Sequence, residues 1–151
     1  MRLTKWTDYS LRVLMHCAAT QHRLQPLTIQ EIADRHAISR SHLMKIVMTL
    51  SALGWIESIR GRGGGIRLLV KPDRLTLGQV VRETESDFHL VECFDEGTNT
   101  CRLNHRCNLK SVLEDSLQAY LKVLDGVTLA DILPKSPGQA DVPIQTFFST
   151  P

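Results

Sequence analysis

The sequence predicts a mainly α-helical chain that carries one small β-hairpin. Three observations predict it: two short helical patterns joined by a tight turn, a glycine-rich loop between two strand patterns, and a five-turn apolar stripe near the C-terminus. At 151 residues, with 42% hydrophobic and 23% charged residues, the chain has the bulk of one globular domain or one domain with an appendage. No apolar run is long enough to cross a bilayer. Asp8, Arg12 and His16 interrupt the first apolar patch, so a signal peptide is not expected there. The expected compartment is the cytoplasm, where thiols stay reduced, with no membrane partner.

Residues 3–20 form the first expected helix, with Trp6, Tyr9, Val13 and Cys17 three to four apart. In "LTIQEIADRHAIS", Thr28 and Glu31 stand at capping-box spacing and open a short second helix. Ser39 caps a third helix over residues 40–53, with Leu43, Ile46, Val47, Leu50 and Leu53 on one side. Gly54 stops it. "WIESIR" and "IRLLV" are then two strands around the tight turn "GRGGG". Together these elements make a winged helix-turn-helix. Thr76 and Gln79 form another capping box in "LTLGQVVRE" and open a short helix. Residues 108–125 carry Leu109, Val112, Leu113, Leu117, Tyr120, Leu121 and Leu124, a stripe longer than so small a core can cover, which predicts a subunit interface in a homodimer. The competing reading is that the stripe packs back on its own domain. The expected organisation is a DNA-binding domain over residues 1–82, a ligand loop over 83–107, a dimerisation helix and cap over 108–133, and a flexible tail over 134–151, which is rich in Pro, Ser and Gly.

Charge is divided between the halves. Residues 1–82 hold 13 Lys/Arg against 5 Asp/Glu, and residues 83–151 hold 5 against 11. A basic front half joined to an acidic back half implies that the front meets a polyanion. A cationic helical face is usually only solvated, so Lys45 alone says little. Helix-turn-helix, basic wing and charge asymmetry together point to double-stranded promoter DNA. Ser41, His42, Lys45 and Thr49 are the candidates to reach base edges, with Arg40 at the helix entrance. Arg62 at the hairpin tip suits an adjoining minor groove. Thr28, Ser39, Arg60 and Arg67 complete the candidate DNA-binding set.

Three cysteines, Cys93, Cys101 and Cys107, fall in "ECFDEGTNTCRLNHRCNLK" with C-x7-C-x5-C spacing. Tetrahedral zinc sites usually have tighter C-x2-4-C pairs. Wider spacing lets a loop wrap a larger object such as an iron–sulfur cluster, although zinc or a thiol redox switch also uses three cysteines. Cys17 lies on the apolar side of its helix and is assigned to the core. No nucleophile–base pair, phosphate loop or paired-carboxylate pocket is present, so an enzyme is not expected.

The set "MRLTKWTDYSLRVLM", "HLMKIVMTLSALGWIESIRGRGGGIRL", "LGQVVRETE", "LVECF" and "LDGVTLADIL" resembles the family of winged-helix iron–sulfur repressors of the NsrR, IscR and RirA type, over residues 1–133. "DFHLVECF", Asp8 and "GRGGGIRL" look most like its nitric-oxide-sensing members, whereas the C-x7-C-x5-C spacing is shared with its iron-responsive ones. The resemblance implies a dimer that binds palindromic promoter DNA, in which helix 108–125 crosses to the partner and each subunit holds a cluster through Cys93, Cys101 and Cys107. It also implies a fourth ligand, Asp8, from the partner subunit; on residue type alone, His89 and His105 are rival donors. Three cysteines and one aspartate suit a 4Fe–4S cluster, with 2Fe–2S the other type described in the family. The implied signal is nitric oxide, which releases the repressor when the cluster is nitrosylated or lost. The alternatives are an iron- or cluster-responsive repressor of the same family and, from another class, a non-regulatory iron–sulfur redox protein.

Overall fold

In the computed structural model, residues 2–103 and 107–133 are described; the expected tail over 134–151 and His105 lie outside them. Helix α1 (Lys5–Ala19) starts at Thr4, whose Oγ1 accepts the Thr7 N–H at 3.3 Å, and closes where the Thr20 hydroxyl donates to the His16 carbonyl at 2.8 Å. Its inner face buries Val13, Leu14, Cys17 and Ala18.

Helix α2 (Ile29–His36) opens on the predicted reciprocal cap. The Glu31 N–H donates to Thr28 Oγ1 at 3.1 Å, and the Thr28 N–H donates to Glu31 Oε2 at 2.7 Å. Ala37, in the left-handed region at φ 51°, turns the chain into the short link to helix α3 (Arg40–Ala52). There Ser39 Oγ accepts the His42 N–H at 3.4 Å. Leu43, Ile46, Val47 and Leu50 are buried, which fixes how this helix is rotated.

Strands β1 (Ile56–Ile59) and β2 (Gly65–Leu68) pair antiparallel, with Ile56 opposite Leu68 and Ile59 opposite Gly65. Leu27 adds a bridge to Ile66, with N–H···O distances of 3.0 and 2.8 Å, and so fastens the wing to the helices. That approach needs glycine at position 65, where a Cβ would stand 2.5 Å from the Leu27 carbonyl oxygen.

Helix α4 (Leu77–Thr84) has the predicted cap: the Gln79 N–H donates to Thr76 Oγ1 at 3.1 Å, and the Thr76 N–H donates to Gln79 Oε1 at 3.0 Å. Two cores meet on this helix. Val80 belongs to the large one, built from α1, α2, α3 and the wing, and Val81 to a smaller one with Leu117 and Leu121. Those two leucines come from helix α5 (Asn108–Asp125), and Phe88, Leu90 and Phe94 of the preceding loop complete the cluster. The chain then returns: the Leu129 N–H donates to the Leu75 carbonyl at 2.8 Å, and the Leu129 side chain is fully buried in the large core. Arg82 donates to both Asp125 carboxylate oxygens and ties α4 to the end of α5.

The α5 stripe therefore divides, in part against expectation. Leu117 and Leu121 pack on their own chain, while Leu109 and Val112 remain 62% and 58% exposed, joined in the open by Val123, outside the predicted stripe, at 67%. The helix has two apolar faces, and the intramolecular core reaches only one. No described helix is long and apolar enough to cross a membrane.

Candidate nucleic-acid interface and cysteine loop

With Leu43, Ile46, Val47 and Leu50 turned inward, a helical step of about 100° per residue sends positions 41, 45 and 48 outward. Ser41 and Lys45 are exposed there, and Arg40 is exposed at the helix entrance. Two other predicted readers are placed differently. His42 is half-buried and turned toward α1, its ring 5.8 Å from Trp6 and 5.2 Å from Tyr9. Thr49 is half-buried and returns its hydroxyl to the Lys45 carbonyl at 3.3 Å. Both sit on the flank of the helix, where neighbouring elements are within reach. Thr28 and Ser39 use their side-chain oxygens to cap α2 and α3.

Sequence reasoning missed Met44 and Met48, which are 47% and 70% exposed on the outward side. Their spacing from Ser41 and Lys45 was the available signal, but a search for polar readers passes over methionine.

On the wing, Arg60 and Arg62 are exposed at and beside the turn, with no ion pair among the described residues. Arg67 is half-buried, and its guanidinium donates to the Leu24 carbonyl in the α1–α2 link. The cation expected on the DNA side is thus directed into the fold.

The cysteine loop follows α4. Cys93 is buried in a short 3-10 turn, Glu92–Phe94, and Cys101 and Cys107 are half-buried, Cys107 standing at the start of α5. Asp95 organises the turn between Cys93 and Cys101, accepting the Gly97 N–H and the Thr98 hydroxyl, each at 2.9 Å. These two bonds hold the Asp95 carboxyl below the usual carboxylate range. All four cysteines are free thiols. Burial pushes the Cys17 thiol up to about 12, so it is inert core, as expected.

Asp8 lies in the first turn of α1, half-buried, and accepts from Arg12 Nε and Nη2 at 3.0 and 2.8 Å. His89 is exposed beside Asp87, and its N–H donates to Asp87 Oδ1 at 3.0 Å. Among the described residues of one chain, no three His, Cys, Asp or Glu side chains converge as a ready metal site. The donor chemistry suits a soft metal or cluster, with one buried and two half-buried thiols in one loop, but the described residues do not present them preassembled.

The sequence profile of Rrf2, described as iron-dependent transcriptional regulator, matches residues 3–135. The chain belongs to the Rrf2 family. Two Rrf2-type relatives are the HTH-type transcriptional regulators NsrR of Bacillus subtilis (strain 168), 50% identical, and of Bacillus licheniformis, 51% identical. Each alignment covers 88% of this chain, and 90% and 92% of the respective relative. Among solved structures, IscR of T. potens superposes with a TM-score of 0.69 at 23% identity, over 87% of this chain and 85% of that one. The Rrf2 chain is a winged-helix DNA-binding transcriptional regulator, not an enzyme.

Proposed function

We propose that this Rrf2 regulator is a nitric-oxide-sensitive repressor that binds palindromic promoter DNA as a homodimer, in the cytoplasm. An iron–sulfur cluster, 4Fe–4S by its ligand set, would be held by Cys93, Cys101, Cys107 and Asp8 of the partner subunit, and would supply iron that reacts with nitric oxide. The names of the relatives and the family description support this reading.

The observation that carries it is where Asp8 stands. It lies between Trp6 and Tyr9 on α1, and those two rings hold His42 of the helix that faces DNA. A pull on the Asp8 carboxylate is a pull on α1, and the ring contacts pass it to α3. When the carboxylate is not engaged elsewhere, Arg12 holds it. A partly exposed i,i+4 pair of that kind contributes only about 0.3–0.5 kcal/mol, so another ligand displaces it easily. The required coupling is also modest, since a hundredfold change in DNA affinity is about 2.7 kcal/mol. Dimer formation is supported by the exposed residues of α5. Leu109, Val112, Ser116, Ala119 and Val123 recur at three- and four-residue steps, the spacing of a coiled-coil seam.

The family description favours one second reading, in which iron supply rather than nitric oxide is the signal. The test is a titration of protein purified without oxygen against promoter DNA. Nitric oxide should abolish binding at near-stoichiometric amounts, and Cys101→Ala protein should be colourless and bind weakly from the start. Release by an iron chelator alone would transfer the assignment to iron. Equal affinity with and without the cluster would remove the switch altogether.

A further inference from the structure

Two large apolar side chains are exposed in the middle of the surface that turns toward DNA. Met44 and Met48, 47% and 70% exposed, are not needed by the core, which Leu43, Ile46, Val47 and Leu50 already fill from the same helix. They lie three and seven residues after Ser41 and on either side of Lys45, so the outward face of α3 alternates hydrogen-bonding and apolar groups. An exposed methionine, whose thioether is only a weak acceptor, gains nothing from phosphate and little from the polar edges of guanine, cytosine and adenine. The apolar feature of the major groove is the C5 methyl group of thymine. The unbranched thioether can adjust to a methyl whose position varies slightly with local DNA shape.

We infer that Met44 and Met48 are specificity-determining residues that pack against thymine methyl groups in each half-site, beside Ser41 and Lys45. The occupant is DNA rather than a protein surface because exposed cations share the helix, Arg40 at its entrance and Lys45 between the methionines, within a front half carrying 13 Lys/Arg against 5 Asp/Glu. One helical turn separates the two methionines, roughly 6 Å along the axis. Successive base pairs rise about 3.4 Å, so the two side chains meet thymines one or two steps apart. The inference rests on the DNA-binding reading but not on the cluster or its signal.

Deoxyuridine differs from thymidine only by the missing methyl, which makes the test direct. Duplexes are selected from a randomised pool with the anaerobically purified protein, and each thymine of the selected site is then replaced singly by deoxyuridine. Wild-type protein should lose affinity at one or two positions per half-site, by roughly fourfold per buried methyl. Met44→Ala and Met48→Ala should each bind the thymine duplex more weakly and become indifferent to deoxyuridine at one of those positions. Neither change removes a charge, so the salt dependence of binding should stay at the wild-type slope. Thymine and deoxyuridine duplexes bound equally by wild-type protein would overturn the inference. So would a deoxyuridine penalty that persists unchanged in both variants. Failure to enrich any duplex would be a different result, overturning the DNA-binding reading itself.

Discussion

His16 is 8% exposed, its ring centroid is 5.5 Å from that of His36, and its Nδ1 has no hydrogen-bond partner among the described residues. Burial first, and then the neighbouring His36, hold its pKa down to about 4. Burial lowers His36 in the same direction. A histidine kept neutral by the fold contributes stability that is complete above its unfolded pKa of 6.5 and is lost as pH falls toward 4. The size for His16 is about 3 kcal/mol. Urea unfolding should show the protein markedly weaker at pH 5 than at pH 7, and His16→Leu should flatten that difference; an unchanged pH slope in the variant would remove His16 as its source. Among single residues, Cys17 was legible because an apolar helical position predicts burial regardless of neighbours. His42 was not. Its place in the sequence suits a reader equally well, and the rings of Trp6 and Tyr9 that claim it lie more than thirty residues earlier in the chain.

At the scale of elements, the caps were the most legible features. Thr28 with Glu31, and Thr76 with Gln79, close hydrogen bonds within four residues, so sequence spacing specifies them almost completely. The wing was legible as a hairpin, but the direction of its long side chains was not. Arg62 stays at the turn, whereas Arg67 reaches the Leu24 carbonyl, a contact set by the Leu27–Ile66 bridge rather than by the hairpin itself. The two arginines should therefore respond differently. Arg62→Ala should reduce the slope of log affinity against log salt by about 0.9, one phosphate contact. Arg67→Ala should leave that slope alone and lower stability by roughly 1 kcal/mol. Binding measured at several salt concentrations separates them, and a reduced slope in Arg67→Ala would return that residue to the DNA surface.

For the whole molecule, apolar spacing on α5 indicated a helix with something to cover but not how many faces it had. One face closes the smaller core with Phe88, Leu90 and Phe94, and the other runs from Leu109 to Val123 in the open. If the open face joins two copies, Val112→Asp should yield monomers in sedimentation experiments while the circular dichroism spectrum stays helical. A dimer that persists unchanged would place the contact elsewhere. The grouping of Cys93, Cys101 and Cys107 in one loop was legible, but their relative placement was not, because it depends on the path of the chain between them.

The adjacency of Val80 and Val81 reaches beyond packing. A boundary at residue 82 separates the winged helix from the cysteine loop and α5 on paper, yet α4 is a party wall whose two sides belong to different rooms. Cutting the chain there would strip the lining from one room and pull Leu129 out of the other. The two halves cannot be shuffled as interchangeable cassettes, and any exchange of the C-terminal half would have to carry α4 and the returning segment around Leu129 along with the cysteine loop.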